Sequence, residues 1–272
     1  MNPPDALADK LGWFIWNLSA FGWDPPTGIE DLLNRSWTNI VAIKTYDGTR
    51  AFIQDWEYER VRDHLAMWPD VKVGIWGYHY GHETQRELEL AANQFERLAA
   101  EFLILNVEDP AIELNPHTGP LWAQGLEALR ARLPDASIYF CSHAQPSYHP
   151  RQPYYQATDQ WLLQQPMIYH TAMQMGPRYS VEVSHDDFEK WNLLEDTITG
   201  EPFPWSSAGA AYATPGNPIT RAGVSEWAAA SLDHGASSLI WWDGDVAQHD
   251  DEVLGGVRDA ALAWTQRKGP PE

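Results

Sequence analysis

Short apolar runs and longer segments of helical periodicity alternate along the whole chain. An apolar run of about four to eight residues predicts a buried strand, whereas apolar residues about every three to four positions predict a helix with one buried face. The predicted strands lie at 11–18, 39–46, 71–80, 102–108, 137–142, 166–170, 207–212 and 238–242. The predicted helices lie at 27–37, 56–68, 84–98, 121–133, 159–163 (a weak pattern), 184–194, 220–232 and 253–264.

Strict alternation of strands and helices predicts parallel pairing, because each helix then carries the chain back to the start of the next strand. Eight such units close naturally into a (β/α)8 TIM barrel, which needs about 250 residues, and the chain has 272. We therefore predict an α/β protein with a lead-in at 1–10, one barrel domain at 11–267 and a tail at 268–272.

The starts of three helices carry a capping signal, in which a hydroxyl residue precedes an acidic residue by three positions. The three pairs are Thr27 with Glu30, Thr84 with Glu87, and Ser184 with Asp187. We expect each hydroxyl to cap its helix.

The fourth predicted strand ends at two acidic residues. Its apolar run from Phe102 leads directly into Glu108, Asp109 and a proline. The two-residue period of a strand places Asn106 and Glu108 on one face. In a parallel barrel the active site lies at the carboxyl ends of the strands. Glu108 is therefore the leading candidate for a catalytic group.

Polar and aromatic residues collect at the other predicted strand ends as well. They are Asp47, Tyr78, His79, Tyr80, Ser142, His143, Tyr169, His170, Gln174, Tyr212, Trp241, Trp242 and Asp243. Strand starts carry few such residues, and this asymmetry is typical of a barrel with a site at one mouth.

Two carboxyl groups across such a mouth can hydrolyse a glycosidic bond, one as the acid and the other as base or nucleophile. We predict Glu108 as the acid, because burial among Trp and Tyr rings favours its neutral form. Asp47 and Asp243 are candidates for the second carboxylate. The structural alternatives are an ion pair between Glu108 and Lys44, and a turn role for Asp47 and Asp243, which both precede glycine.

Other chemistries have weaker signals. His79, His143 and His170 follow successive strands and could converge on a metal, but no H-E-x-x-H motif or tight His/Cys cluster is present. Ser142-His143 lacks the G-x-S-x-G context of a serine hydrolase. Since no G-x-G-x-x-G or P-loop motif occurs either, we expect no metal and no cofactor.

The charge limits the partners. The formal net charge is −20, which disfavours nucleic acid and anionic membranes and opposes anionic wall polymers. Fifteen tryptophans either fill the core or line a groove for a flat-faced ligand such as a sugar.

The first residues lack the basic and apolar regions of a signal peptide, and no run of about 18 apolar residues could span a bilayer. The single cysteine, Cys141, excludes an internal disulfide. We expect synthesis in the cytoplasm, with later association with a virion or release to the cell wall as candidate destinations.

Several segments together resemble the glycoside-hydrolase-like TIM-barrel proteins of bacteria and phages, distantly akin to family 25 lysozymes and family 18 chitinases. These segments are 12–16, 42–48, 76–80, 106–108, 146–150, 166–169 and 241–243. They cover most of the chain in the expected order, and the resemblance implies a (β/α)8 barrel that binds sugars.

The resemblance also implies roles for single residues. The relatives carry Asp-x-Glu on strand four, where Glu donates the proton and Asp positions the N-acetyl group, whose oxygen attacks the sugar carbon. Glu108 matches the donor, Tyr169 matches a tyrosine that binds the acetamide, and Asn106 replaces the Asp. Asn can hydrogen-bond an acetamide but cannot stabilise a cation by charge.

We therefore predict a glycoside hydrolase that acts on peptidoglycan or a related N-acetylated glycan, with a phage lysin as one candidate. The predicted substrate-binding residues are Asn106, Tyr78, His79, Tyr169, His170, Tyr212, Trp241 and Trp242. The alternative is a carbohydrate-binding barrel without turnover that contacts other components of a phage or phage-like particle. A metal-dependent hydrolase is the third possibility.

Overall fold

The computed structural model describes residues 5–195 and 202–268, and eight parallel strands close into a barrel within that part of the chain. The strands are β1 (Lys10–Ile15), β2 (Ile40–Asp47), β4 (Lys72–Tyr78), β5 (Leu103–Asn106), β6 (Ile138–His143), β7 (Leu163–Ile168), β8 (Ser206–Ala210) and β9 (Ser238–Trp242). Each pairs with its neighbours in chain order, and β1 closes the ring by pairing with both β2 and β9. A short β3 (Arg50–Ala51) pairs antiparallel with the end of β2. The predicted (β/α)8 TIM barrel is confirmed.

The helices surround the barrel and lie between successive strands. They are α1 (Pro25–Ser36), α2 (Asp55–Leu65), α3 (Thr84–Leu98), α4 (Pro110–Leu114), α5 (Thr118–Arg132), α6 (Tyr154–Asp159), α7 (His170–Met173), α8 (Pro177–Lys190), α9 (Arg221–Asp233), α10 (Gly244–Ala247) and α11 (Asp251–Lys268). Single 3-10 turns occur at Leu18–Phe21 and Pro146–Tyr148. Over the described residues, every helix is too short or too polar to cross a bilayer.

Two apolar cores follow from the alternation of side chains along each strand. Phe14, Trp76 and Ile104 belong to the core inside the barrel. Trp13 and Leu105 belong to the larger core between the strands and the helices. Neighbouring residues at a strand end therefore enter different environments, and this decides which of them can reach the mouth.

Residues just before β1 close the amino end of the barrel. Leu7 is fully buried within the inner core, and its N–H donates to the Tyr139 hydroxyl at 3.0 Å. The predicted lead-in at 1–10 thus contributes to packing over residues 5–10. Residues 1–4 of that lead-in and 269–272 of the predicted tail lie outside the described residues.

The predicted helix caps are wrong in all three places. The first helix begins at Pro25 after Asp24, and the Thr27 hydroxyl donates to the Asp24 carboxylate at 2.7 Å. Thr84 is the first residue inside α3, so the N-cap is Glu83 and not Thr84. Ser184 lies inside α8, where its hydroxyl donates to the Ser180 carbonyl at 2.7 Å. Prolines in the first turn of α1 and α8 fix the helical start earlier than the hydroxyl residues.

Strand boundaries also differ from the prediction, most of all at the end of β1 and the start of β7. β1 ends at Ile15, because Asn17 caps the following 3-10 turn by accepting a hydrogen bond from Ser19 N–H at 3.0 Å. β7 begins at Leu163, so the weak helix expected at 159–163 is wrong and α6 ends at Asp159.

Candidate active site at the mouth of the barrel

β5 and its continuation direct Asn106 and Glu108 to the inside of the barrel. Ile104, one period before Asn106, belongs to the inner core, whereas Leu105 and Val107 pack outward. The Asn106 amide donates to the Glu108 carboxylate at 3.2 Å. Asp109 then caps α4 by accepting from Ala111 N–H at 2.8 Å. The expected pairing of Asn106 and Glu108 on one face is therefore what the structure shows.

The surroundings of Glu108 favour its protonated form. Burial raises the pKa of the Glu108 carboxyl, and the negative charge of Asp109 adds to the shift. The hydrogen bond from Asn106 acts in the opposite direction, because it stabilises the carboxylate. Since burial is the largest effect, this carboxyl group retains its proton to higher pH than an ordinary glutamate does.

Three tyrosines lie within electrostatic reach of Glu108. They come from three strand ends: Tyr78, Tyr169 and Tyr212. Burial raises the pKa of each phenol, and the Glu108 charge raises all three further. The rings of Tyr169 and Tyr212 are 5.9 Å apart. The structure thus brings Tyr78, Tyr169, Tyr212, Asn106 and Glu108 together, all of which were predicted for the site.

Three tryptophans form an aromatic wall at the same mouth. Trp242 contacts Trp76 with ring centroids 4.8 Å apart and Trp16 at 5.5 Å. Trp16 remains 41% exposed, so one face of this wall is open to a ligand. Sequence reasoning selected Trp242 but did not select Trp16 or Trp76 by number. The inward orientation of Trp16 could have been predicted from the two-residue period of the strand, because Trp16 lies two positions after Phe14 on the inner face.

Lys44 is a buried cation inside this aromatic wall. Its ammonium group lies 3.9 Å from the centre of the Trp16 ring and 3.3 Å from the Asp47 carboxylate. Burial lowers the pKa of Lys44, and the charge of Asp47 opposes that shift. Among the described residues, the ion pair of Lys44 is with Asp47, so the alternative pairing with Glu108 is wrong. Asp47 also accepts a hydrogen bond from the Tyr80 hydroxyl at 3.2 Å.

Asp243 ends β9 and caps α10, where its carboxylate accepts from Val246 N–H at 2.9 Å. The turn role considered for this residue is therefore present. Burial also raises the pKa of Asp243. The Asp243 charge raises the pKa of both Tyr169 and Tyr212, which places it in the same electrostatic environment as Glu108.

Asp245 was missed by sequence reasoning, although it shapes the mouth. Its carboxylate accepts hydrogen bonds from Trp16 N–H at 3.0 Å and Asn17 N–H at 2.7 Å. Burial, with the nearby Asp243 charge, raises the pKa of Asp245 to about 6. Asp245 therefore ties the loop after β9 to the loop that carries Trp16.

His143 contacts the backbone of Glu108. Its Nε2 lies 3.0 Å from the Glu108 carbonyl oxygen, and because a carbonyl only accepts, Nε2 carries the proton. The His143 ring stacks on His149 at 3.6 Å. Burial, followed by the effect of His149, lowers the pKa of His143 to about 4, so this ring is neutral at pH 7.

Three predicted site residues lie outside the mouth: His79, Trp241 and His170. His79 is fully buried and hydrogen-bonds the Tyr46 hydroxyl at 2.9 Å. Trp241 is fully buried between Trp13 and Trp227. His170 borders Gly223 of α9, where an added Cβ would lie 3.5 Å from its Nε2. Each of these residues follows or precedes an inward-facing neighbour by one position, so its side chain points into the helical layer.

The same orientations exclude the alternative metal site considered for His79, His143 and His170. His143 faces the mouth, whereas His79 and His170 face the helices. Within residues 5–195 and 202–268, no group of potential ligands combines these three histidines. The metal-dependent hydrolase based on them is therefore wrong.

Comparisons with known proteins identify the same architecture elsewhere. A GH18 chitinase from Cycas revoluta, in a complex with allosamidin, aligns with a TM-score of 0.66 at 12% identity, over 94% of this chain and 100% of that one. The chain has the fold of the family 18 chitinases. A thermostable chitinase domain from Pyrococcus furiosus, complexed with chito-oligosaccharides, gives 0.67 at 10% identity, over 100% and 98%. The C-terminal domain of a putative chitinase from Desulfitobacterium hafniense gives 0.69 at 8%, over 95% and 99%.

Scans against family models and against curated proteins find no match. The likeness to the solved chitinases, at 8–12% identity, shows the fold alone. What the chain does must therefore be argued from the residues at its own mouth.

Proposed function

We propose that this protein is a glycoside hydrolase that acts on N-acetylated glycans, with Glu108 as the general acid. The observation that carries the proposal is the state of Glu108, an inward-facing carboxyl whose pKa burial raises, in a mouth lined by Tyr and Trp rings. A carboxylic acid whose pKa is raised keeps its proton to higher pH and can donate it to the departing glycosidic oxygen.

Asn106 supplies a specific contact for an acetamide group. Its Nδ2 is engaged by Glu108, whereas its Oδ1 is buried and has no hydrogen-bond partner in the part of the chain that is described. A buried acceptor of this kind favours a ligand that brings an N–H donor. The N–H of an N-acetyl group fits that requirement, and the Tyr169 hydroxyl would bind the acetamide carbonyl oxygen, as the resemblance implies.

The chemistry would follow from these positions. Glu108 donates its proton to the glycosidic oxygen as the bond to the anomeric carbon breaks. The acetamide oxygen of the substrate, oriented by Asn106 and Tyr169, attacks that carbon, and water then opens the intermediate while Glu108 accepts the proton back. Asp47 and Asp243 are the proposed carboxylates for the developing positive charge. Of the two, Asp243 has the better claim, because Asp47 is neutralised by Lys44.

Chitin-type oligosaccharides are the first substrates to test, since the solved neighbours include complexes with allosamidin and with chito-oligosaccharides. Peptidoglycan is the narrower proposal, together with a role as a phage lysin, and both rest on the sequence resemblance. The net charge of −20 opposes binding to anionic wall polymers.

The test compares the wild-type protein with Glu108→Gln on chito-oligosaccharides and on peptidoglycan fragments, with new reducing ends as the readout. Glutamine keeps the shape of the side chain but cannot donate the proton, so we expect a loss of about 10²–10⁴-fold, the usual contribution of a general acid. Glu127→Gln, an exposed change on α5, is the control and should keep full activity. Equal cleavage by both variants would exclude Glu108 as the acid.

Asn106 also favours a second candidate, a carbohydrate-binding barrel without turnover, because an amide cannot stabilise a cation by charge. This candidate predicts that the wild-type protein and Glu108→Gln bind chito-oligosaccharides equally and release no reducing ends. Asn106→Asp separates the two functions further. If the barrel is an enzyme limited by this amide, restoring the carboxylate should increase turnover.

A further inference from the structure

His185 occupies an unusual position at the end of the barrel opposite Glu108. It lies on α8 beside Trp205, which precedes β8, and beside His234, which follows α9. Both neighbours are at the amino ends of the strands, whereas Glu108 is at the carboxyl ends. His185 Nδ1 is buried, and it has no hydrogen-bond partner among the residues described. A buried nitrogen without a partner points to a missing ligand.

The nearest charged group does not satisfy this nitrogen. The Glu189 carboxylate, one helical turn along α8, lies 3.7 Å from His185 Nδ1. That distance is too long for a hydrogen bond. His185 Nδ1 therefore remains available to a ligand.

The separation suits two ligands of one metal ion. A zinc ion binds N and O ligands at about 2.0–2.2 Å, which places two ligand atoms of a tetrahedral site about 3.3–3.6 Å apart. His185, Asp186 and Glu189 each offer a ligand atom, and these atoms all lie within 4.8 Å of one another. No other such group occurs within residues 5–195 and 202–268.

His234 packs beside this group without belonging to it. Its ring centroid lies 4.5 Å from that of His185, but its nitrogens are not among the ligand atoms that all lie within 4.8 Å of one another. His185, Glu189 and His234 line an open cavity of about 670 Å³, through which an ion can enter. A mixed set of imidazole and carboxylate ligands suits zinc and neighbouring transition metals, whereas Ca²⁺ and Mg²⁺ prefer oxygen alone.

We propose that His185, Asp186 and Glu189 bind a divalent transition-metal ion such as Zn²⁺ at the amino end of the barrel. The ion binds the last turns of α8, far from the candidate active site. Its role is to hold these turns together, and it takes no part in the reaction proposed for Glu108. Sequence reasoning did not select these three residues.

The test uses the full chain without a histidine tag, stripped of metal with a chelator and then titrated with Zn²⁺ by calorimetry. We expect one ion per chain and a midpoint of thermal unfolding that rises with Zn²⁺ concentration, because an ion that binds only the folded state stabilises it. His185→Gln and Glu189→Gln should each weaken Zn²⁺ binding by at least about 10–100-fold. Substitution of residues that only support a metal ligand already produces a loss of that size. Glu189 is exposed, so its variant is expected to fold.

His64→Gln is the matched control. His64 also contacts a glutamate, Glu30 at 2.6 Å, but it belongs to no three-ligand group in the described parts of the chain. The His64→Gln variant should therefore bind Zn²⁺ as tightly as the wild-type protein does. The proposal is overturned if the wild-type protein binds no tighter than the two α8 variants, or if His64→Gln weakens binding to the same extent. Activity toward glycans does not enter this test, so its failure is independent of the proposed function.

Discussion

Glu87 is buried and Glu108 is half-buried, and both lie near strand ends, yet their surroundings move their pKa values in opposite directions. Burial acts to raise the pKa of Glu87, but His79 and the backbone N–H groups of Gly81 and Glu83 outweigh it, so this pKa is lowered. Burial also acts on Glu108, where the hydrogen bond from Asn106 is the only opposing one within the described parts of the chain, and the pKa is raised. The number of donors around the carboxylate decides the outcome.

The difference follows from the face on which each residue lies. Glu87 is on α3 in the helical layer, where the loop after β4 offers backbone N–H groups to it. Glu108 lies inside the barrel, where the surrounding side chains are mostly rings. The helical layer therefore holds a structural carboxylate, and the barrel interior holds an acid that keeps its proton to higher pH than an ordinary glutamate does. The tryptophans at the end of β9 show the same division between faces.

The largest effect on stability is expected at Trp241. Its ring is fully buried between Trp13 and Trp227, so Trp241→Ala should reduce the free energy of unfolding by about 3–5 kcal/mol. Trp242→Ala changes the inward face instead, and it should weaken chito-oligosaccharide binding by about 0.5–1.5 kcal/mol. Urea denaturation and binding titrations of both variants measure the two effects. If Trp241→Ala were the variant that lost binding without losing stability, the division between faces would be wrong.

The glutamate pair gives the next largest effect. Glu87→Gln should lower the free energy of unfolding by about 1–3 kcal/mol at pH 7, because a buried carboxylate loses part of its hydrogen bonding. Since the folded-state pKa of Glu87 is lowered, this stabilisation is present above its unfolded pKa and is lost as pH falls through the folded value. Glu108→Gln should leave stability at pH 7 unchanged or higher, because the raised pKa means that ionised Glu108 destabilises the fold. Denaturation curves at several pH values check both signs.

The smallest effect is a shift in the pH profile. The Asn106 hydrogen bond lowers the pKa of Glu108, so Asn106→Leu should raise it further. Only protonated Glu108 donates a proton, and the alkaline limb of kcat/KM should therefore move to higher pH. The profile is measured on a soluble chito-oligosaccharide, with the exposed residue change Asn93→Leu as the control. If the alkaline limb of kcat/KM were unchanged in Asn106→Leu, a group other than Glu108 would determine that limb.

The fold and the centre of the site could be predicted because both depend on periodicity. Alternating strand and helix patterns determine the parallel barrel, and the two-residue period places Asn106 and Glu108 on one face. The same period shows that Tyr78 and His79, or Trp241 and Trp242, cannot both face inward. His79 and Trp241 were nevertheless assigned to the site, because composition at a strand end does not reveal the phase of the strand.

The Lys44–Asp47 ion pair could not be predicted from periodicity. The register of β2 against β4 shifts between Lys44 and Tyr46, so two residues separated by an odd number of positions reach the same side of the sheet. The contacts of Asp245 with the backbone of Trp16 and Asn17 join segments that lie far apart along the chain. Such long-range contacts leave no trace in a local pattern.

The register shift in β2 makes the register of the strand, and not only residue type, a determinant of the charge at the mouth. Thr45 is the extra residue at the shift, so Asp47 pairs with Tyr78 and lies on the same face as Lys44. If the same residues formed a regular strand, Asp47 would move one position along β4 and its side chain would turn away from Lys44, which would leave a buried ammonium ion without its counterion. A related protein with a regular strand over these residues would need a different amino acid at position 44, even if every other residue at the mouth were identical. Changes of register in this strand are therefore a route by which such barrels can change the ligands they accept.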